Sequence, residues 1–168
     1  RKKITEPGTI LNETRRQLIN LLHQTGKDHE SKDGMDISLL MLNKQTKTFK
    51  FAAANQKAYI GNIQNSQLEE LQGDKMPVSI YLDIKKDFTT MEGQYTDNDI
   101  FYLFSDGYPD QFGGNQNRKY LYHNFKKLIR NTATLPLQQQ LDKITTEFYT
   151  WKGDQEQVDD VIILGIKP

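Results

Sequence analysis

Two short apolar runs, each joined to aspartate, constrain this chain more than any other feature. Ile100-Phe101-Tyr102-Leu103-Phe104 leads straight into Ser105-Asp106-Gly107, and Val158-Asp159-Asp160 leads into Val161-Ile162-Ile163-Leu164. Short runs of β-branched and aromatic residues bounded by turn formers are too brief for helices and read as buried strands. The first run ends on an aspartate and the second begins on a pair of them. Carboxylates at strand ends are rigidly held hard-oxygen donors, the kind that magnesium and manganese take. A single strand-end aspartate is more commonly a turn or helix-capping residue. Asp106 and Asp159, 53 residues apart in sequence, could face one cleft if their strands lie near one another in one sheet.

The rest of the chain supplies the frame. Residues 1–8 are polar and read as a linker or a cut end. Ile10, Leu11, Leu18, Leu21 and Leu22 share one face of a helix over residues 9–24, stopped by Gly26 and followed by a charged loop over 26–34. Ile37–Leu42 and Thr48–Ala52 read as a hairpin whose apolar first strand is buried on both faces. Ala58–Ile63 is a further strand, and residues 66–87, broken by Pro77, are irregular. Phe88–Gln94 and Ile100–Phe104 are strands joined by a turn over 95–99. A polar loop over 109–119 precedes a helix over 121–131 with Phe125, Leu128 and Ile129 inward. Leu137, Leu141, Ile144, Phe148 and Trp151 follow at spacings of four, three, four and three, one face of a helix on a sheet, ended by Gly153. Val161–Ile166 reads as a central strand. The order is that of an α+β domain with helices packed outside sheets.

Composition removes several functions. A length of 168 residues suits one domain with a real core. Lys plus Arg equals Asp plus Glu at 22 each, which argues against a nucleic-acid-binding face or an acidic tail. There is no cysteine, so disulfides and thiolate catalysis are excluded. No apolar run approaches the roughly 18 residues of a membrane span, so no membrane contact is expected. His23, His29 and His123 share no ligand spacing, and His23 reads as helix surface. Ser105 has no histidine partner in sequence and is not read as a nucleophile. Asp33 and Asp36 read as turn and strand-start residues, and Asp97-Asn98-Asp99 as a turn without the spacing of a calcium loop.

The wording around these aspartates resembles the SpoIIE-like branch of the metal-dependent serine/threonine phosphatases, the PPM or protein phosphatase 2C superfamily. Asp33-Gly34-Met35-Asp36-Ile37 is similar to the opening of a strand in that family, and Phe51-Ala52-Ala53-Ala54-Asn55-Gln56 to its hairpin segment. Phe104-Ser105-Asp106-Gly107-Tyr108 and Asp110-Gln111-Phe112-Gly113-Gly114 resemble its central metal motif and the loop after it. Trp151-Lys152-Gly153 with Gln157-Val158-Asp159-Asp160-Val161 resembles its closing motif. The likeness runs from near Pro7 to Pro168 and is nearest to sensor-linked phosphatases of Bacteroidetes-like bacteria.

The resemblance implies an α-β-β-α sandwich, here a single partial domain over residues 1–168 that lacks the family's first strands and a glycine-rich motif with a further metal-bridging aspartate. A sheet without those strands exposes an edge and apolar surface, which predicts association or poor solubility. The implied catalytic residues are Asp106 and Asp159, and the implied metal set is Asp106, Asp159 and Asp160. Neighbouring side chains in extended structure point to opposite sides, so only one of the pair can be a direct ligand of a given ion; the resemblance implies that it is Asp159, with Asp160 ordering the loop. The implied cofactor is Mn2+ or Mg2+, binuclear in the family and incomplete here. The implied reaction is hydrolysis of phosphoserine or phosphothreonine by a metal-activated water. Its partner would be a phosphorylated bacterial signalling protein such as an anti-sigma-factor antagonist, with sensor domains N-terminal in the parent chain and a cytoplasmic location. Gly113-Gly114 is either a flap beside the site or a plain turn. The alternative function is a non-catalytic, truncated phosphatase-like module for partner binding or assembly. The absent first metal motif favours it, and the intact later motifs oppose it.

Overall fold

The computed structural model describes residues 5–25, 33–80 and 86–168. In chain order the elements are α1 (Pro7–Leu21), β1 (Ile37–Asn43), β2 (Thr48–Ala54), β3 (Lys57–Asn62), β4 (Leu68–Gln72), β5 (Met91–Gln94) and β6 (Asp99–Phe104). There follow α2 (Gly107–Asp110), β7 (Phe112–Gly113), β8 (Arg118–Lys119), α3 (Tyr122–Thr132), α4 (Leu137–Lys152) and β9 (Ile163–Ile166). They form two compact units, one of residues 1–57 and 71–96, the other of residues 58–70 and 97–168.

The first unit is the antiparallel sheet β1-β2-β5 with α1 on it. α1 starts at Pro7, earlier than the polar opening suggests, because proline presets the first helical turn. It ends at Leu21. His23 takes φ 51°, its amide bonds Asn20 O at 3.3 Å, and the Gln24 amide bonds Ile19 O at 3.0 Å. This paired closure puts His23 in the left-handed capping position, not on the helix surface. Gly26, His29 and the loop over 26–32 lie outside the described residues. Leu11 packs on Ala52 and Ala54 with Met76, Val78 and Phe88. The alanines of β2 leave room for the segment after β4: Asp74 N bonds Ala53 O at 2.9 Å, and a Cβ on Gly73 would stand 2.6 Å from that of Ala53. β1 is an edge strand, not one buried on both faces, and Met41 is 37% exposed.

The second unit is the four-stranded sheet β4-β3-β6-β9, with the ribbon β7-β8 beside it. β4 falls inside the stretch expected to be irregular, because Glu69 and Glu70 hide its strand pattern. Among the described residues β9 is an edge strand, not a central one. Phe125 and Ile129 of α3 and Ile144 and Phe148 of α4 pack on Tyr59, Tyr102 and Phe104. The α4 stripe is inward at Ile144 and Phe148, but Leu141 is 54% exposed. The inward place one turn before Ile144 belongs to Gln140, whose amide takes the Tyr102 hydroxyl at 2.7 Å and donates to Leu135 O at 2.8 Å. A count of apolar residues passes over it.

This core is rich in tyrosine. Tyr108 Oη donates to Ile144 O at 2.9 Å, and Tyr120 Oη meets Glu147 Oε1 at 3.1 Å. Burial pushes the Tyr102 hydroxyl up to about 12, partly offset by its bond to Gln140, and raises those of Tyr59, Tyr108 and Tyr120. An unfolded tyrosine ionises near pH ~10. Between that pH and the folded value, the unfolded chain binds fewer protons than the folded one. Stability is therefore full below pH ~10 and falls as pH climbs toward 12. Urea unfolding at pH 8, 10 and 11.5 should show a falling midpoint. A midpoint that holds its pH 8 value at pH 11.5 would contradict this.

Candidate metal and active site

The second unit brings the two aspartate-bearing segments together through the residues that flank Asp106. Ser105 continues β6. Its amide donates to Ile162 O at 3.0 Å, its hydroxyl donates to Asp160 O at 2.7 Å, and that hydroxyl accepts from the Ile162 amide at 3.0 Å. On the far side of Asp106, Gly107 lies under the same loop, where an added Cβ would stand 2.4 Å from Asp160 O. Asp106 thus sits between two residues that both grip the backbone of residues 159–162. It also caps α2, with its carbonyl taking the Asp110 amide at 2.9 Å.

The Asp159–Asp160 loop is ordered from within. The Asp160 amide donates to Asp159 Oδ1 at 2.7 Å, and Gln157 Nε2 donates to Asp159 O at 2.8 Å. Asp159 and Asp160 are exposed and Asp106 is half-buried. Asp110 is held by Lys119 at 3.0 Å.

A second layer of contacts fixes the loop from α4. Gln111 is fully buried, and its Nε2 donates to Glu156 O at 2.8 Å. Trp151 Nε1 donates to Gln111 O at 3.1 Å, and the Gly114 amide donates to Trp151 O at 2.8 Å. Gly113 lies so close to Trp151 that a Cβ would stand 1.9 Å from its carbonyl oxygen. Leu121, at φ 74° and ψ 145°, is a backbone outlier where the chain leaves this ribbon, with its amide on Pro109 O at 2.7 Å. Sequence reasoning quoted Gln111 in the same motif as Gly113 and Gly114 but gave it no role, because it carries no charge and sits in no periodic pattern.

Asp33 and Asp36 belong to the first unit. Asp36 takes Asn55 Nδ2 at 2.9 Å, and Asp33 O takes Gln24 Nε2 at 2.7 Å, in keeping with turn and strand-start roles. Asp99 accepts from Asn62 at 2.9 Å at the head of β6.

Among the described residues no group of three or more His, Asp or Glu side chains converges to hold a metal. Asp106 and Asp159 lie on adjoining segments and are carboxylates, the donor type that magnesium and manganese take, and a full shell for either ion needs more donors than these two. No helix among the described residues is long and apolar enough to cross a membrane.

The family profile of Stage II sporulation protein E matches residues 2–168. No curated protein matches the chain significantly by sequence. Among solved structures, the SiaA-PP2C domain of Pseudomonas aeruginosa is similar with a TM-score of 0.82 at 24% identity, over 96% of this chain and 61% of that one. The phosphatase domain of the cell fate determinant SpoIIE from Bacillus subtilis, presoaked with manganese, gives 0.59 at 17% identity, over 93% and 73%. RsbX in complex with magnesium gives 0.58 at 17%, over 94% and 62%. The chain thus spans 61% of the SiaA domain. At these identities the likeness speaks for the fold, the mixed helix-and-sheet architecture of the PP2C phosphatases, and it agrees with a profile that leaves out only the first residue. From the Ser-Asp-Gly turn to the Asp-Asp loop, and across nearly its whole length, this chain belongs to the SpoIIE family.

Proposed function

We propose that this chain serves in a metal-dependent phosphatase domain that removes phosphate from phosphoserine or phosphothreonine on a cytoplasmic bacterial signalling protein. The observation that carries the reading is the latch of Ser105 and Gly107 onto the Asp160 backbone, which holds Asp106 and the Asp159 loop side by side. Asp106 and Asp159 would hold the ion, and Asp160 would order the loop. A divalent cation, manganese or magnesium as in the related structures, would supply charge neutralisation at the phosphoryl oxygens and a lowered pKa for an attacking water. The Ser105 hydroxyl is engaged on both sides, as donor and as acceptor, so it acts as a strut for the loop and not as a nucleophile. The sequence likeness extends the proposal to an anti-sigma-factor antagonist as substrate and to sensor domains in the parent chain.

The test is manganese-dependent hydrolysis of p-nitrophenyl phosphate, with manganese binding followed in parallel by calorimetry. Asp106→Asn and Asp159→Asn should each lower turnover on the order of 100-fold and weaken manganese binding. Undiminished turnover in both variants would remove these residues from the chemistry. One observation favours the second reading, a non-catalytic module for partner binding or assembly: no three-carboxylate cluster occurs among the described residues. A wild-type chain that neither binds manganese nor hydrolyses the ester would support that reading.

A further inference from the structure

Positive charge is spread unevenly over this neutral chain. From Gln111 to Leu141 there are five lysines and arginines and no carboxylate, although the whole sequence carries 22 charges of each sign. Carboxylates crowd the flanking segments of the candidate site, with Asp106 and Asp110 before this stretch and Asp154, Glu156, Asp159 and Asp160 after it.

The second unit turns the basic stretch into a surface. α3 buries Phe125 and Ile129 in the core and exposes His123, Lys127 and Arg130, which fall at the i, i+4 and i+7 positions of one helix face. Arg118 and Lys119 are exposed on the ribbon just before it. Two of the five cations are paired, Lys119 with Asp110 at 3.0 Å and Lys126 with Glu70 at 2.9 Å. Arg118, Lys127 and Arg130 have no carboxylate partner among the described residues. Glu69 lines a shallow cleft beside Arg130 without forming an ion pair with it. The Leu121 amide on Pro109 O at 2.7 Å and the Lys119–Asp110 pair hold the start of α3 next to the turn that carries Asp106.

We propose that this face of α3, with Arg118 of the ribbon, docks an acidic segment that flanks the phosphorylated residue of the protein on which the domain acts. The identity of the occupant rests on the phosphatase reading, and the charge of the surface does not. A membrane fits less well, because an interfacial helix needs an apolar face free to enter the lipid and that of α3 is packed in the core. Nucleic acid fits less well, because three unpaired cations on a neutral chain are few against a polyphosphate backbone. α3 has 11 residues and is about 16 Å long. An extended segment covers that length in about five residues. The carboxylates of the candidate site repel the same segment, so a negative flank is turned away from them and toward α3.

The probes are two fluorescein-labelled peptides, a phosphoserine followed by a run of glutamates and the same peptide with glutamines in their place. Each is titrated against the chain by anisotropy without metal. The glutamate peptide should bind about tenfold or more tightly than the glutamine one, and added salt should weaken it. Lys127→Glu combined with Arg130→Glu should weaken it about tenfold or more, and Arg118→Glu alone several-fold. Arg118→Glu lies outside α3 and serves if the double variant does not fold. Lys143→Glu, the same change of charge at an exposed position of α4, should leave binding unchanged. The inference is overturned if the two peptides bind alike, if binding survives the α3 and ribbon substitutions, or if Lys143→Glu weakens it as much as Arg118→Glu. It is also overturned if phosphatidylserine vesicles bind through Lys127 and Arg130 while the peptide does not. A chain that holds the glutamate peptide at α3 yet leaves p-nitrophenyl phosphate intact would lose the phosphatase reading and keep the acidic-segment surface.

Discussion

Gly107→Ala should pull the Ser105-Asp106-Gly107 turn away from the Asp159–Asp160 loop. The new methyl would stand 2.4 Å from Asp160 O, 2.9 Å from its carbonyl carbon and 3.3 Å from Asp159 O. All three are backbone atoms, so no rotamer change relieves the clash. Gly107 lies in the helical region as the first residue of α2, where alanine is otherwise favoured, so the effect is purely steric. Moving the loop strains or breaks the hydrogen bonds that Ser105 makes to Asp160 and Ile162. Overpacking of this kind costs about 2–3 kcal/mol. Urea unfolding would measure that loss, and a manganese titration of the folded variant should show binding weakened along with it. Wild-type values in both measurements would mean that the loop does not rest on Gly107.

Phe125→Ala should destabilise the second unit by about 3–5 kcal/mol, the usual cost of deleting a fully buried aromatic ring. Phe125 is completely buried, with the rings of Phe104 and Tyr108 each centred 4.8 Å away and that of Tyr59 at 6.4 Å. These partners come from two strands and from the helix that follows Asp106, so the cavity loosens several elements at once. Phe125→Leu, which fills most of the space, should recover much of the loss. Denaturant midpoints for the three proteins decide the matter, and a loss below about 1 kcal/mol for the alanine variant would show that the rings close over the gap.

How much was legible beforehand depends on which physical signal each element carries. α3, α4 and β6 announce themselves by periodicity or by an unbroken apolar run, and Ser105-Asp106-Gly107 marks the end of β6. β4 did not, because its two glutamates suit a solvent-facing edge and look like loop. The capping role of His23 depends on a backbone angle that no side-chain pattern encodes. β1 and β9 were misplaced for one reason. Apolar composition does not report how many neighbours a strand has, and among the described residues each of these has a neighbour on one side only. At the candidate site, the two aspartates were readable as strand-end carboxylates. That Ser105 and Gly107, and not the carboxylates, join the two segments depends on long-range backbone geometry. Gln111 and Gln140 carried no signal for a related reason: each is a buried polar residue whose amide bonds a partner far away in sequence, Glu156 O for Gln111 and the Tyr102 hydroxyl for Gln140.

The chain holds a single tryptophan, and it stands at the junction of the ribbon, the end of α4 and the loop leading to Asp159. Trp151 donates its indole N–H to Gln111 O, lies 5.3 Å from the Tyr120 ring in an edge-on arrangement, and is only half-buried. The protein therefore carries its own fluorophore a few residues from the candidate ion-binding loop. Its emission will register whether that corner is docked or open, without a label and without a substrate.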